Sequence, residues 1–132
     1  MNRYLGFFGL ALLLAHPFSW SKTPSDIVKT RDQMSQIVIG DLLACGDVYG
    51  DSYHDLAQMV EAKFSDLMSV AGVEFKDPAL RYKKISAMRD VAKIIEPADK
   101  WKNHCEEVVV STAKKEIAWT DDAIKRLKSK RK

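Results

Sequence analysis

Residues 23–46 have the sequence TPSDIVKTRDQMSQIVIGDLLACG, in which apolar side chains recur at steps of three and four residues. That period is typical of an amphipathic helix. Thr23, Pro24 and Asp26 form a helix start: a threonine cap, a proline in the first turn and an acid placed to bond back to the cap. Gly46 is predicted to end this helix. The apolar stripe consists of Ile27, Met34, Ile37, Val38, Leu42 and Cys45.

The chain beyond this helix repeats the pattern. Ser52 is predicted to begin a second helix that ends at Gly72. A third helix begins at Pro78 and is interrupted by Pro97, because proline lacks the amide hydrogen that a helix interior needs. Its apolar stripe is predicted to be Tyr82, Ile85, Met88, Ala92 and Ile95. No stretch shows the sustained alternation of a strand. Four helices with short connections favour an all-α fold, a small antiparallel bundle running up-down-up-down.

The helix that follows Pro97 has two interpretations. Thr120 and the two aspartates after it resemble a fresh helix cap. The helix therefore either continues to about Lys128 with a bend near Trp119, or ends and restarts there.

The amino terminus has the regions of a secretory signal peptide. A cationic start precedes the apolar run Leu5–Ala15, and small residues mark a cleavage site after Ser21. The run of about 11 residues is too short for a membrane span, which needs about 20. We expect residues 1–21 to be removed. The remainder would be an exported helical domain at residues 22–124 with a basic tail at residues 125–132, located in the periplasm or, alternatively, outside the cell.

The chain has two cysteines, Cys45 and Cys105. In an exported protein an even pair usually forms one disulfide. Such a bridge closes a loop of about 60 residues and is worth about 4 kcal/mol on the chain-entropy estimate. In the predicted bundle both cysteines lie at one pole, so the topology and the bridge support each other. Trp101, four residues before Cys105, is predicted to pack against the disulfide.

Charge is distributed unevenly along the chain. Residues 22–74 hold nine acids and four bases, whereas residues 75–132 hold nine acids and sixteen bases. Six of the bases fall in the basic tail, residues 125–132. The tail is either a frayed, solvated end or a contact for an anionic membrane surface or an acidic partner. Nucleic acid is not expected as a partner, because an exported protein meets little of it.

The sequence carries no catalytic signature. It has no Gly-rich phosphate loop, no Cys-x-x-Cys, no His-Glu-x-x-His and no Gly-x-Ser-x-Gly. A thiol nucleophile is also excluded if both cysteines are oxidised. We expect neither an enzyme nor a bound cofactor.

A metal site has little support in the sequence. Two histidines remain after cleavage, His54 and His104, and Asp51 or Asp55 could join them by ligand type. Nothing in their spacing specifies a metal site. The aspartates also do not match an EF-hand loop, which needs oxygen ligands at alternate positions. We predict no metal.

The connection between the first two helices, residues 45–55, is the candidate partner-binding surface. A connection held by a disulfide and rich in aspartate and tyrosine would be a preorganised contact surface. The alternative is an ordinary turn with its cap, in which the tyrosines cover the end of the core. Trp119 is a further candidate for an exposed contact. The candidate contact residues are Asp47, Tyr49, Asp51, Tyr53, His54, Asp55 and Trp119.

With two cysteines about 60 residues apart and a lysine-rich carboxyl end, the chain is similar in outline to periplasmic acid-stress chaperones and immunity proteins. It carries no motif of either family, and a shared architecture does not establish function. We expect a non-enzymatic binding protein of the bacterial cell envelope, of the inhibitor, immunity or adaptor type, whose partner is another protein. The alternatives are a periplasmic stress chaperone, which would expose its apolar stripes at low pH, and a small enzyme or metal carrier.

Overall fold

The computed structural model describes residues 23–95 and 98–130, which are helical almost throughout and contain no strand. The predicted all-α fold is confirmed. The predicted signal peptide, residues 1–21, lies outside the described residues. None of the described helices is both long and apolar enough to cross a bilayer. The helices are α1 (Pro24–Tyr49), α2 (Asp51–Ala71), α3 (Pro78–Ile95), α4 (Ala98–Asn103) and α5 (Val110–Lys130), with a π-helical segment (His104–Val109) between α4 and α5.

The start of α1 has the predicted capping box. Thr23 Oγ1 accepts a hydrogen bond from the Asp26 amide at 3.2 Å, and the Asp26 carboxylate accepts one from the Thr23 amide at 3.2 Å. The predicted end at Gly46 is wrong, because α1 continues through it to Tyr49. Gly46 instead permits close packing, since a Cβ atom there would collide with the ring of His54.

A single residue, Gly50, connects α1 to α2. Its φ of 121° lies where glycine is tolerated and other residues are strained. Its amide donates to the Gly46 carbonyl at 3.1 Å. The connection predicted as a loop is therefore a tight helical corner. Asp47 and Tyr49 belong to the end of α1, and Asp51, Tyr53, His54 and Asp55 belong to the start of α2.

The core forms two clusters along the bundle. The larger cluster surrounds the Cys45–Cys105 disulfide, whose Cα atoms are 5.9 Å apart, and Trp101 is buried in it as predicted. The disulfide confirms the predicted pairing and indicates an oxidising, exported environment. The smaller cluster consists of Val28, Phe64, Leu67, Met68 and Leu127.

The last helix is continuous through Trp119, so it does not end and restart there. α4, the π-helical segment and α5 follow one another without a break. Thr120 does not restart the helix, because its hydroxyl donates to the Glu116 carbonyl at 2.8 Å inside it. Leu127 is buried in the smaller cluster. The start of the basic tail is therefore part of α5 as far as Lys130 rather than a frayed end.

α3 lies on α1. Arg81 pairs with Asp32 in the first half of α1, and Arg89 pairs with Asp47 near its end, so the two helices run parallel. Among the described helices, only α1 has Cα atoms within 8 Å of those of α3. Helix directions alternate along the chain as predicted, and the neighbours α1 and α2 are antiparallel.

Gly40 makes the approach of α3 possible. A Cβ atom at this position would meet the Met88 Cβ at 2.5 Å and the Ile85 carbonyl oxygen at 3.2 Å. α1, α2 and α5 therefore form a three-helix core, and α3 is docked on its outside. Because α3 does not pack against the backbone of α2, an open groove remains between these two helices.

Candidate functional site

Asp47 is a structural residue rather than an exposed contact residue. Its carboxylate pairs with Arg89, with Lys93 Nζ at 2.6 Å and with His54 Nε2 at 3.4 Å, and its side chain is 19 % exposed. The hydrogen bonds from Arg89, with help from Lys93, hold the pKa of Asp47 below its ordinary value. Asp47 therefore ties the end of α1 to α3 as an ion-paired carboxylate.

The two tyrosines of the corner are half-buried. Tyr49 and Tyr53 pack against the larger core cluster. Burial raises the pKa of Tyr53, and the nearby Glu106 carboxylate raises it further. This geometry supports the alternative in which the tyrosines cover the end of the core.

Asp51 and Asp55 are the exposed acids of the corner. They lie seven and three positions before Gln58, respectively, so all three residues share one face of α2. Asp51 also lies 3.5 Å from His54 Nδ1. Gln58 lines the groove between α2 and α3. By this spacing Asp55 and Asp51 continue the α2 wall by one and two turns beyond Gln58, although neither lines the groove itself, and we call them the rim acids.

The groove has a volume of about 310 Å³ and mainly apolar walls. α1 forms its floor, α2 forms one wall, and α3 with the segment before it forms the other. Tyr82 stands on the α3 side and is 76 % exposed, so its ring is free to contact a bound molecule. The lining residues are Ile39, Leu43, Ala57, Gln58, Glu61, Phe75, Pro78, Arg81, Tyr82 and Ile85.

Arg81 holds the groove in shape. Its guanidinium donates to Asp32 at 2.8 Å, to Glu61 at 2.8 Å and to Ser35 at 3.0 Å. It also lies over the rings of Phe64 and Phe75, at 5.0 and 4.9 Å from their centroids. Arg81 is buried, and each of its three guanidinium nitrogens already donates to a protein partner, so its role is structural.

Sequence reasoning missed Arg81. The predicted stripe of α3 placed Tyr82 on the buried face, where the structure buries Arg81 instead. A helix stripe is read from apolar residues, and an arginine that is neutralised by acids on two other helices leaves no periodic signal. Ile85 is buried as predicted.

Glu61 gives the groove a hydrogen-bond acceptor. One carboxylate oxygen, Oε2, pairs with Arg81, while the other, Oε1, is buried without a hydrogen-bond partner. The side chain as a whole is 46 % exposed, so its carboxylate presents negative charge to the groove although Oε1 itself is covered. A ligand with an N–H or ammonium group near an apolar side chain fits this wall.

Trp119 lies in a second, smaller depression between α1 and α5. It is 51 % exposed, and the guanidinium of Arg31 lies 5.3 Å from its ring centroid. Arg31 also donates to the buried Glu116 at 3.0 Å. Burial raises the pKa of Glu116, and Arg31 lowers it in part. With one face against Arg31, Trp119 is a stacked structural residue as well as an exposed one.

The two-histidine site considered from the sequence is not assembled. His54 packs on Gly46 and faces Asp47, whereas His104 lies near Asp41. Within residues 23–95 and 98–130, no three His, Cys, Asp or Glu side chains are grouped so that they could hold a metal ion.

No protein-family model matches the chain, and neither does any curated protein or solved structure. The function is therefore argued from the groove and its charges.

Proposed function

We propose that the protein is an exported, non-enzymatic binding protein of the bacterial cell envelope, resident in the periplasm, which holds a short basic and apolar segment of another protein. The groove between α2 and α3 is the binding site. The observation that carries this proposal is the combination of apolar walls, the partly exposed Glu61 carboxylate and the exposed rim acids Asp51 and Asp55. A partner segment with one large apolar side chain beside lysine or arginine matches all three features.

The physical chemistry of the groove sets the expected strength of binding. Burying one leucine- or phenylalanine-sized side chain is worth about 1.5 to 3 kcal/mol. The rim acids add attraction that speeds association and that salt screens. Binding should therefore be modest and should weaken as salt is raised.

The binding site can be located by photo-crosslinking. A photoreactive phenylalanine analogue in place of Tyr82 should attach to a partner in envelope extract, and mass spectrometry of the product identifies the attached segment. The same analogue at Trp119 tests the depression between α1 and α5. Capture at Trp119 but not at Tyr82 would place the partner outside the groove and contradict the proposal.

The role of the rim acids can be tested with a matched pair of variants. Asp55→Lys reverses a charge one turn before Gln58, whereas Asp66→Lys makes the same change three turns further along the same face of α2, beyond the residues that line the groove. By isothermal titration with the captured segment, Asp55→Lys should weaken binding about ten-fold. Asp66→Lys should bind like the parent protein. Equal effects of the two variants on binding would argue against a specific role for the rim acids.

A stress chaperone is the second candidate function, favoured by the way α3 is attached. α3 buries Ile85 in the larger core cluster and is held by ion pairs to the carboxylates Asp32, Glu61 and Asp47. Strong acid would neutralise these carboxylates and release α3. Apolar dye binding that rises between pH 7 and pH 2 while helicity persists would favour this candidate. Absence of dye binding down to pH 2 would exclude it.

A further inference from the structure

The outer face of α3, away from α1, carries an apolar seam. Leu80, Ala87, Val91 and Ile94 follow the three- and four-residue steps of a helix-pairing seam, in which the exposed Lys84 occupies the step between Leu80 and Ala87. Leu80, Val91 and Ile94 are 47, 49 and 81 % exposed. No other described helix packs against α3 on this side, since α1 lies on the opposite face.

One flank of the seam carries an unpaired charge of each sign. Lys83 and Asp90 are seven residues apart and therefore lie on the same side of α3. Neither takes part in an ion pair within the described part of the chain, whereas Arg89, beside Asp90, is already paired with Asp47. The seam therefore has one unpaired base before Ala87 and one unpaired acid after it.

We propose that the seam binds a second copy of the same chain, with the two α3 helices antiparallel about a twofold axis near Ala87. In this arrangement Leu80 of each copy meets Ile94 of the other, because both lie seven residues from Ala87. Lys83 of each copy meets Asp90 of the other, which gives two reciprocal ion pairs on one flank. The small side chain at the axis allows the helices to approach closely.

The charges select the antiparallel orientation. In a parallel pair the Lys83 and Asp90 positions of the two copies would lie on opposite flanks of the seam, so the two reciprocal ion pairs would not form. The helix pair is about 21 Å long from Leu80 to Ile94. A contact of this size falls at the low end of specific interfaces, so the dimer is reversible and forms at high concentration. Tyr82 lies about 140° around α3 from Ala87, so the groove stays open.

Sedimentation velocity on the disulfide-bonded protein, from about 5 to about 500 µM, measures the dimer. Lys83→Glu alone and Asp90→Lys alone each turn two attractive pairs into repulsive ones, and each should raise the dissociation constant about ten-fold. An equimolar mixture of the two variants should dimerise as strongly as the parent protein, because both cross pairs are then attractive. Circular dichroism confirms that the variants are folded.

A parent protein that stays monomeric over the whole range would overturn the proposal. Single variants that dimerise like the parent, or a mixture that fails to recover, would overturn the pairing. Tyr82→Ala should leave the dimer unchanged. Failure of self-association is therefore distinguishable from failure of the groove.

Engineered disulfides test the register independently. Ala87→Cys should yield a covalent dimer under oxidation, because the two copies of residue 87 meet at the axis. Leu80→Cys is the control, since its two copies would be about 21 Å apart. Efficient cross-linking of Leu80→Cys with none of Ala87→Cys would rule out the antiparallel register.

Discussion

Burial of an arginine costs free energy unless carboxylates accompany it, and Arg81 has two of them. Asp32 supplies one from α1 and Glu61 supplies the other from α2. The rings of Phe64 and Phe75, whose centroids are 5.6 Å apart, lie together on one side of the guanidinium. One side chain therefore fixes the distance between three parts of the chain, and the width of the groove follows from it.

Replacing Arg81 should destabilise the protein strongly. We expect Arg81→Met to lower the free energy of unfolding by about 3 kcal/mol, because Asp32 and Glu61 lose a buried partner. Arg126→Met is the control. It removes an exposed pair with Asp122 and should cost less than about 0.5 kcal/mol. Urea unfolding followed by circular dichroism measures both, and similar losses would show that Arg81 is not a structural centre.

Asp47 should make the stability of the protein sensitive to acid. Its pKa is held below the ordinary value of 3.8, first by Arg89 and then by Lys93. A carboxyl group whose folded-state pKa is depressed stabilises the fold above its unfolded-state pKa, and this stabilisation is lost as the pH falls through the folded-state value. Asp47→Asn should therefore be less stable than the parent at pH 7, and the gap should narrow below about pH 4.

Urea midpoints at a series of pH values test this expectation for Asp47. The control is Asp122→Asn, which removes an exposed carboxylate. The difference in urea midpoint between Asp122→Asn and the parent protein should stay small at every pH. A gap for Asp47→Asn that is constant from pH 7 to pH 2 would contradict the assignment of the ion pairs.

Glu116 should make the stability of the protein depend on pH in the opposite direction from Asp47. Burial raises its pKa above the ordinary value of 4.5, although Arg31 opposes the shift. A raised folded-state pKa means that the folded chain holds the proton more tightly, so this contribution is largest in acid and is lost as the pH rises. Relative to the Glu116→Gln variant, the parent protein should become more stable as the pH falls from 7 to 4. A loss over this interval would show that the pair with Arg31 outweighs burial.

At the scale of helices, the contact between α1 and α3 depends on the absence of a side chain at Gly40. A Cβ atom there would press against Met88 and the backbone of α3, and neither can move without shifting the helix. Among the described helices no other backbone lies close to α3, and α2 reaches it through side chains, as in the Arg81–Glu61 pair. Adding a single methyl group at residue 40 should therefore destabilise the docking of the whole of α3.

We expect Gly40→Ala to lower the free energy of unfolding by about 2 kcal/mol, although alanine favours a helix by about 1 kcal/mol. Hydrogen exchange should increase chiefly in α3. Gln33→Ala, an exposed change on the same helix, is the control and should have little effect. A more stable Gly40→Ala variant would show that helix propensity outweighs the steric conflict.

The helices themselves could be predicted from the sequence because caps and apolar periods are local. The capping box at Thr23 and the burial of Trp101 are examples. Features that need a neighbouring helix could not be predicted. Gly46 resembles a helix end until the ring of His54 is known to lie against it, and Asp47 resembles an exposed acid until α3 supplies Arg89.

The candidate site shows the same limit. The exposed acids Asp51 and Asp55 were identified from composition, but the groove beside them forms because α3 docks on α1 and not on α2. No local pattern encodes that choice. It depends on Gly40 and on the partners of Arg81, which lie far apart in sequence.

At the scale of the whole molecule, the disulfide joins two helical segments that are far apart in sequence. Cys45 lies on the central helix α1, and Cys105 lies in the π-helical segment 60 residues later. Both are buried in the larger cluster, whereas the smaller cluster is closed by Leu127 without a covalent link. The two halves of the bundle should therefore respond differently to loss of the bridge.

We expect replacement of both Cys45 and Cys105 by alanine to lower the free energy of unfolding by about 3 to 4 kcal/mol, since the unfolded chain regains the freedom of a 60-residue loop. Native-state hydrogen exchange should increase more around Ala113 than around Leu127, because only the former packs near the bridge. A reducing agent should destabilise the parent protein and leave the double variant unchanged. If reduction left the parent's urea midpoint where it was, the bridge would not be a determinant of stability, and the fold would have no need of an oxidising compartment.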